Sequence, residues 1–366
     1  MQREIKYNFN HVNGVFFEML EDGGFNDTYK IVFWDRVNQR TVFESEIKPQ
    51  TWVKLNRRYL SDLDILIMLG NEIVFERNVK KMIHGGRVFI SFDSKSLGDT
   101  LAWMPVCEEF RKQYDCEVIV STFMNEQFIP VYPYLKFVGR GVTVDNLTAM
   151  FELGWFYDKD KEPQHPATIP LQKAASNILG LQLQEELIAQ VAYEVQPRPI
   201  MQKYVCISTQ STAQLKHWYY WQELIDMLKE DGYEVCEISK DPTELKGLYE
   251  VKDKSLESVK NYLFHCEFFI GLSSGISWLA WAMRKRVYMI AGFTRDDHEF
   301  QSNCVRISNR DVCNGCWNNP MFKFDKGNWL YCPEHEDTPR HFECHKTILA
   351  KDVIDKIRKS IPKNVF

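Results

Sequence analysis

Four cysteines near the C-terminal end of the sequence could together hold a metal ion. Cys313 and Cys316 form a CxxC pair, Cys332 follows after 15 intervening residues, and Cys344 follows after a further 11. Four thiolates at such spacings are typical of a tetrahedral site, although the ligands alone do not choose between zinc and iron. Because no position stays open for a substrate, we predict a structural metal. The alternative is four structural thiols whose spacing is accidental.

Two loops rich in small hydroxyl residues could bind a phosphate. Each follows an apolar run that predicts a strand and precedes a predicted helix, in CISTQSTAQLKHW (206–218) and GLSSGIS (271–277). Free N–H groups at a helix start attract anions, and glycine lets the backbone approach a ligand closely. The residues assigned here to substrate binding are Ser208, Thr209, Lys216, Ser273, Ser274 and Gly275. The alternative is that both loops only cap helices.

Asp99 occupies a third loop of this kind, SKSLGDTLAW (94–103), between a predicted buried strand and a predicted helix. On position alone, the carboxylate would cap the helix that follows. The functional alternative is a general base that takes a proton from an attacking hydroxyl group. In that interpretation the next residue, Thr100, binds substrate.

The elements that would position these residues form an α/β protein with a β-rich start. Short aromatic and β-branched runs fill residues 1–85 and predict a small sheet or barrel. Strand–helix–strand alternation then predicts two Rossmann-like domains with parallel sheets, at 86–196 and 201–303. Within the first of them, residues 171–195 are predicted to form one long helix. The cysteine finger occupies 304–346, and an amphipathic helix closes the chain at 347–366.

Composition and charge exclude several classes of protein. The 366 residues are 45% hydrophobic and 26% charged, and the mean hydropathy is −0.36, as in soluble globular proteins. A net charge of −5 gives no basis for binding nucleic acid. The sequence also lacks an apolar run long enough to span a bilayer, a secretory signal, and the glycine motifs of dehydrogenases and P-loop kinases. We therefore expect a cytoplasmic protein with neither a membrane span nor a nucleic-acid partner.

Several of these segments together resemble the bacterial heptosyltransferases of glycosyltransferase family nine. The resemblance covers about residues 86–366 and is carried by SLGDTLAW, by KHW after the first hydroxyl-rich loop, and by GLSSGISWLAWA. The segments CNGCW, NWLYC and HFEC, with the β-rich start, resemble in particular the autotransporter heptosyltransferases, which modify serines of adhesin passenger domains. Where the wider family has D-[ST]-G-x-x-H, this sequence departs from the pattern, and Trp278 stands in place of the histidine.

The resemblance implies a GT-B fold and transfer of heptose from ADP-heptose to serine hydroxyls of an autotransporter adhesin. It assigns Asp99 as the catalytic base, Lys216 as the cation on the donor phosphate, and Ser273, Ser274 and Gly275 as the diphosphate loop. Direct attack helped by one base implies inversion at the anomeric carbon.

The resemblance also implies one ferric iron per chain in the cysteine finger, with zinc as the alternative, and a homododecamer. Removing the metal is expected to disorder the finger while leaving ADP binding largely intact. Two other functions stay open at this point. One is a glycosyltransferase with another sugar nucleotide or acceptor, and the other is a non-enzymatic, metal-dependent scaffold.

Overall fold

The computed structural model describes residues 4–211, 213–322 and 331–361. The chain divides into two compact units. The first comprises Met1–Lys95, Trp103–Pro166 and Gln172–Glu185, and the second comprises Ser96–Ala102, Ala167–Leu171 and Glu186–Phe366. The N-terminal strands thus group with the first α/β layer, and the finger and the last helix group with the second. Residues 323–330 of the predicted finger and 362–366 of the predicted last helix lie outside the described residues.

The first unit begins with seven strands in two antiparallel sheets, which confirms the predicted β-rich start. Along the second strand, Val15, Phe17 and Met19 are fully buried while the residues between them are less so, as expected of a sheet with one face in the core. The strand orders are β1-β2-β5 and β4-β3-β6-β7. The strands are β1 (Lys6–Asn10), β2 (Val15–Glu21), β3 (Tyr29–Asp35), β4 (Arg40–Ile47), β5 (Thr51–Leu55), β6 (Leu63–Leu69) and β7 (Glu72–Asn78).

The next part of the chain forms the first parallel α/β layer. Its four strands pair in the order β10-β9-β8-β11, and all three pairings are parallel. The elements are α1 (Val79–Ile83), β8 (Arg87–Phe92), α2 (Leu97–Tyr114), β9 (Glu117–Ser121), β10 (Lys136–Phe137), β11 (Ala149–Leu153) and α3 (Leu171–Ile178). Strand–helix alternation along the sequence therefore predicted this layer correctly.

The long helix predicted over residues 171–195 is wrong beyond its first two turns. Helix α3 ends at Ile178, and Gly180 follows it in the left-handed conformation, with φ of +64°. A Cβ atom at Gly180 would lie 2.6 Å from the carbonyl oxygen of Leu60, so only glycine permits this close approach. Farther along, the buried Lys260 ammonium donates to the carbonyl of Ala192. The carbonyl of Ala192 thus has a tertiary partner and not a helical one.

The second unit contains a five-stranded parallel sheet in the order β13-β12-β14-β15-β16. Its elements are β12 (Tyr204–Ser208), α4 (Trp221–Glu230), β13 (Glu234–Glu237), α5 (Leu256–His265), β14 (Phe269–Leu272), α6 (Gly275–Ala282), β15 (Val287–Ile290), β16 (Cys304–Ile307), α7 (Glu343–Lys346) and α8 (Ala350–Ser360). Helix α8 buries Val353, Ile354 and Ile357 in the same core as Trp221 of α4. Among the described residues, none of the helices combines the length and apolar character needed to cross a bilayer.

Candidate functional site

Parallel strand order brings three loops of the second unit to one edge of its sheet. Strands β12, β14 and β15 are direct neighbours, and the carboxyl ends of parallel strands meet at the same edge. Lys216 follows β12, Ser273 follows β14, and Glu299 follows β15. Ligands of open α/β sheets bind at this edge. The topology therefore places two predicted site residues, and one that sequence reasoning missed, at the position where a ligand is expected.

Lys216 lies at the centre of this cluster. It belongs to a short 3-10 helix, Gln214–Lys216, and its Nζ donates to the carbonyl oxygen of Ser273 at 2.8 Å and to the Ser273 hydroxyl at 3.2 Å. Burial lowers the pKa of Lys216, whereas the carboxylates of Glu299 and Asp99 act to raise it. Asp99 directly follows Gly98, and a Cβ atom on Gly98 would lie 3.4 Å from Cα of Gly275 in the loop that also carries Ser273. The structure thus brings together the predicted base, the predicted cation and Ser273.

Glu299 is a buried carboxylate that binds several members of this cluster. It accepts hydrogen bonds from the hydroxyl of Ser273, from the hydroxyl of Thr294 at 3.1 Å, and from Arg306 at 2.6 Å. Burial acts to raise the pKa of Glu299, but Arg306, His298 and Lys216 outweigh it and lower the pKa to about 2. The Glu299 carboxylate is therefore ionised at neutral pH.

Sequence reasoning missed Glu299, Thr294 and Arg306. Arg306 is on β16, and the other two lie in the loop after β15, in the run TRDDHEF. The signal that would have found the loop residues is positional, because a polar loop at the carboxyl end of a central parallel strand is a candidate ligand loop.

Asp99 does not occupy the capping position of its helix. Helix α2 begins at Leu97, and it is the hydroxyl of the preceding Ser96 that lies 3.5 Å from the backbone N–H of Asp99. Asp99 as a residue is mostly buried, with 9% exposed. The capping alternative considered from the sequence therefore loses its support. The neighbouring Thr100 is fully buried and its hydroxyl donates to the carbonyl of Ser96 at 2.8 Å, so its predicted substrate contact stays a prediction.

Two glycines set the close approach of the Asp99 turn to the second hydroxyl-rich loop. A Cβ atom on Gly275 would lie 3.0 Å from Cβ of Leu97 and 3.1 Å from the backbone nitrogen of Gly98. A Cβ atom on Gly98 would lie 3.1 Å from the ring of Trp278 and 3.4 Å from Cα of Gly275. Backbone thus packs directly on backbone, and the start of α2 is held against the start of α6.

Ser274 and Trp278 differ in what they offer to a ligand. The Ser274 hydroxyl precedes α6, makes no capping bond, and is buried with no hydrogen-bond partner among the residues described. A buried hydroxyl without a hydrogen-bond partner destabilises the folded state, and a bound ligand could supply that partner. Trp278 instead packs edge-on against the rings of Trp281 and Phe300, so the residue that replaces the family's histidine belongs to the core.

Ser208 and Thr209 lie in a different network from Lys216. The Thr209 hydroxyl donates to Glu237 at 3.1 Å, and the Ser208 hydroxyl is 3.1 Å from that of Ser239. The second oxygen of Glu237 accepts from Lys254 at 3.1 Å. Both predicted hydroxyls are thus paired with residues at the end of β13, and their contact with a substrate stays a prediction.

The four cysteines of the predicted finger act on one another's pKa. Cys316, Cys332 and Cys344 are buried, Cys313 is partly exposed, and all four are free thiols. Burial raises the pKa of Cys316 to about 12, and the Cys332 thiol acts in the same direction. Burial also raises the pKa of Cys344, and each of the other three thiols adds to the rise. Among the described residues, however, the four cysteines do not form a set whose sulfur atoms all lie within 4.8 Å of one another.

By their chemistry alone, four thiols are suitable ligands for zinc or iron. A bound cation would favour the thiolate forms and relieve the repulsion among them. The donor set that the described residues do bring together is a different one: the Cys313 sulfur, a ring nitrogen of His335 and a carboxylate oxygen of Glu343 lie within 4.8 Å of one another. Nε2 of His335 is buried and has no hydrogen-bond partner in the described part of the chain. The geometry therefore supports the Cys313, His335 and Glu343 set, and the four-cysteine site stays a prediction.

Comparison with known proteins connects this site to one family. The model of glycosyltransferase family 9 (heptosyltransferase) matches residues 169–332. The autotransporter heptosyltransferase Aah of Escherichia coli is 33% identical over 94% of this chain and 93% of its own length. BimC of Burkholderia thailandensis, described as an inactive autotransporter heptosyltransferase, is 31% identical over 76% of this chain and 70% of its own length.

The fold comparison gives the same family. A crystal structure of TibC, described as an iron-containing dodecameric glycosyltransferase from enterotoxigenic E. coli H10407, is 29% identical, with a TM-score of 0.83 over 99% of this chain and 98% of TibC. A second TibC structure, in complex with ADP-D-beta-D-heptose, is 28% identical, with a TM-score of 0.80 over 97% of this chain and 96% of that one. This chain belongs to the autotransporter heptosyltransferases, a group of glycosyltransferases within family 9.

Proposed function

We propose that this enzyme transfers heptose from ADP-heptose to serine hydroxyls of an autotransporter adhesin passenger domain. Family membership and the complex of TibC with ADP-D-beta-D-heptose support the donor, and the names of the relatives support the acceptor class. The observation that carries the proposal is geometric: the turn of Gly98 and Asp99 packs on Gly275, and Lys216 donates to Ser273 in the same loop. A base, a cation and a loop of N–H donors are the parts that glycosyl transfer from a nucleotide diphosphate needs.

The donor diphosphate is held by Lys216 and by the loop from Ser273 to Gly275. Lys216 supplies positive charge, the unpaired Ser274 hydroxyl supplies a hydrogen-bond donor, and the first N–H groups of α6 point out of the helix start. These groups are fixed before the reaction, so they stabilise the charge that grows on the departing ADP without reorganising. Ser208, Thr209 and Thr100 are assigned to the same substrate on their sequence positions.

Asp99 acts as the general base. Its carboxylate takes the proton from the serine hydroxyl as that oxygen attacks the anomeric carbon, while the bond from that carbon to the ADP oxygen breaks. One direct displacement inverts the configuration at the anomeric carbon. The two parallel α/β layers are consistent with the GT-B class that the resemblance implies.

The four-cysteine set holds one structural iron per chain, with zinc as the alternative. The iron-containing, dodecameric character of TibC supports both the metal and a homododecamer for this chain. When bound, the metal would cross-link the finger. It would take no part in the reaction at the anomeric carbon, because four thiolates leave no coordination site open for a substrate. The cytoplasm is the expected location.

A nucleotide panel tests the donor. Thermal unfolding with ADP, UDP and GDP should show stabilisation by ADP alone, because a ligand that binds only the folded state raises its stability. Stabilisation by UDP or GDP instead would indicate another sugar nucleotide, and no shift with any of them would favour the scaffold.

Paired variants test the base. Asp99→Asn should lower transfer by roughly 100- to 10,000-fold and leave ADP affinity unchanged, as expected of a lost general base. Asp297→Asn is the matched control, since Asp297 is an exposed carboxylate that pairs with Arg295. Intact mass of a co-expressed adhesin reports the transfer directly. Wild-type transfer by Asp99→Asn would contradict the mechanism.

A further inference from the structure

The cysteine finger contacts the chain segment that leads from β15 to Glu299. Residues 315–318 of the finger run beside residues 292–295, where Thr294 binds the Glu299 carboxylate. Three hydrogen bonds join the two segments: the N–H of Gly315 to the carbonyl of Gly292 at 2.8 Å, the N–H of Trp317 to the carbonyl of Phe293 at 3.1 Å, and the N–H of Arg295 to Oδ1 of Asn318 at 2.7 Å. The finger therefore supports one side of the cluster around Lys216.

The finger also contacts the turn that carries Lys216. The side chain of Leu215, the residue directly before Lys216, is buried in a small apolar cluster whose other members come from the finger and the β15 loop. Those members are Phe293, Cys316, Cys332 and Phe342. Two of the predicted metal ligands thus pack in the same cluster as the neighbour of the predicted donor cation.

His345 joins both segments through one ring. It follows Cys344 in the chain and is almost completely buried, with 1% exposed. Its Nδ1 is 2.8 Å from the carbonyl oxygen of Leu215, and its Nε2 is 3.1 Å from the backbone nitrogen of Gly292. Because the Gly292 N–H can only donate, Nε2 accepts that bond, and Nδ1 carries the hydrogen that it donates to Leu215. The imidazole therefore satisfies a buried carbonyl and a buried N–H at the same time.

The chain also approaches this ring closely on the finger side. A Cβ atom at Gly292 would lie 2.6 Å from the carbonyl oxygen of Cys344 and 2.8 Å from its Cβ. The backbone of a predicted metal ligand thus packs directly on the backbone of the β15 loop. A shift of Cys344 would move His345 and both of its partners.

We propose that His345 is a positioning residue that couples the cysteine finger to the donor site. It holds the turn before Lys216 in place, so that binding of the donor diphosphate depends on a folded finger. Loss of the finger's metal should then weaken ADP binding, which is the opposite of the outcome expected from the sequence. The proposal rests on the donor role assigned to Lys216, and the experiment separates the two.

Three variants at His345 and one control test the coupling. His345→Phe keeps a buried ring but leaves the Leu215 carbonyl and the Gly292 N–H unpaired, and we expect ADP affinity to fall roughly ten- to a hundredfold. His345→Asn keeps an amide that can donate to Leu215, so it should retain more affinity than His345→Phe. His345→Gln, whose longer side chain reaches Gly292 and not Leu215, should behave like His345→Phe. Lys351→Gln, which removes an exposed ion pair with Asp355 on α8, is the control and should bind ADP normally.

The readouts are ADP affinity by calorimetry, metal content by elemental analysis, and hydrogen exchange of residues 213–218. The expected result is unchanged metal content, weaker ADP binding and faster exchange in the Lys216 turn of His345→Phe. Wild-type affinity and exchange in that variant would overturn the coupling. If it does not fold, equal ADP affinity of His345→Asn, His345→Gln and wild type would overturn it instead.

Lys216→Met, measured beside these variants, tests the donor role by itself. If it binds ADP as wild type does, the assignment of Lys216 is wrong whatever His345 does. If Lys216→Met weakens binding and the His345 variants do not, the donor site stands and the coupling fails. ADP binding by metal-depleted wild-type protein with unchanged affinity would also overturn the coupling.

Discussion

Replacement of Glu299 by glutamine tests the buried charge cluster most directly. Glu299→Gln keeps the shape of the side chain and removes the charge that faces Lys216 and Arg306. A carboxyl group whose pKa falls from 4.5 to about 2 on folding contributes about 3 kcal/mol to the free energy of unfolding. Breaking a buried ion pair by removing one partner costs about 3–5 kcal/mol. The estimate from the pKa shift and the estimate from the ion pair therefore agree in magnitude.

The contribution of Glu299 to the free energy of unfolding depends on pH. Because the pKa of Glu299 is lowered by folding, its contribution is fully present above about pH 4.5 and is lost as the pH falls towards about 2. For a unit of this size, the loss at pH 7 corresponds to a fall in Tm of about 6–12 °C. The difference in Tm between wild type and variant should then shrink as the pH is lowered from 5 to 3.

Thermal unfolding of both proteins across this pH range is the assay, and ADP binding is measured alongside it. The variant should bind ADP more weakly, because Glu299 holds the Ser273 hydroxyl and favours the charged form of Lys216. Glu76→Gln, at an exposed position on β7, is a control for the loss of one negative charge. A variant with the wild-type Tm at pH 7, or a difference in Tm that does not change with pH, would refute this account of the cluster.

Three further tests follow from the structure and from the proposed metal site. Gly275→Ala places a methyl group 3.0 Å from Leu97, so it should lower Tm and reduce kcat, and wild-type kinetics would show that the close approach is not needed. Cys316→Ser should abolish metal binding while His335→Gln retains it, and elemental analysis showing the reverse would assign the metal to the Cys313, His335 and Glu343 set. Burial raises the pKa of Glu162 to about 8, so an ionised Glu162 destabilises the folded protein. Glu162→Gln should therefore raise Tm at pH 8 and leave it unchanged at pH 4. An equal effect at both pH values would contradict that last prediction.

The sequence predicted the elements of this fold better than it predicted the contacts between them. Alternation of strands and helices located the loops that carry Asp99, Lys216 and Ser273, because each loop adjoins an apolar strand of recognisable pattern. It could not show that Ser96 and not Asp99 takes the capping position, since that depends on a single residue at the helix boundary. Glu299 was missed because its importance comes from partners that are distant in the sequence.

The end of α3 and the role of His345 were unpredictable for the same physical reason. Residues 179–195 have a composition that suits a helix, but Gly180 packs on Leu60, more than a hundred residues earlier in the chain. His345 directly follows a predicted metal ligand and therefore reads as part of the finger. Its function depends on hydrogen bonds to Leu215 and Gly292, which no local pattern reveals.

The charges around Lys216 are close to balanced before any ligand binds. The cations of Lys216 and Arg306 face the carboxylates of Glu299 and Asp99, and Arg306 also pairs with the exposed Asp296 at 3.0 Å. A donor diphosphate must therefore be held mainly by fixed hydroxyl and N–H groups and not by surplus positive charge. Its arrival makes the surroundings of Asp99 more negative.

The added negative charge of the donor should make Asp99 a stronger base. A nearby negative charge favours the protonated form of a carboxyl group, so Asp99 should hold a proton more strongly once the donor is bound. The pH dependence of kcat reports groups in the enzyme–substrate complex, whereas that of kcat/KM for the donor reports the free enzyme. We therefore expect the acid limb of the kcat profile to lie at higher pH than the acid limb of kcat/KM, and both limbs to be altered in Asp99→Glu. If the two limbs coincide, or if their order is reversed, the diphosphate does not lie beside Asp99 and the proposed arrangement of donor and base is wrong.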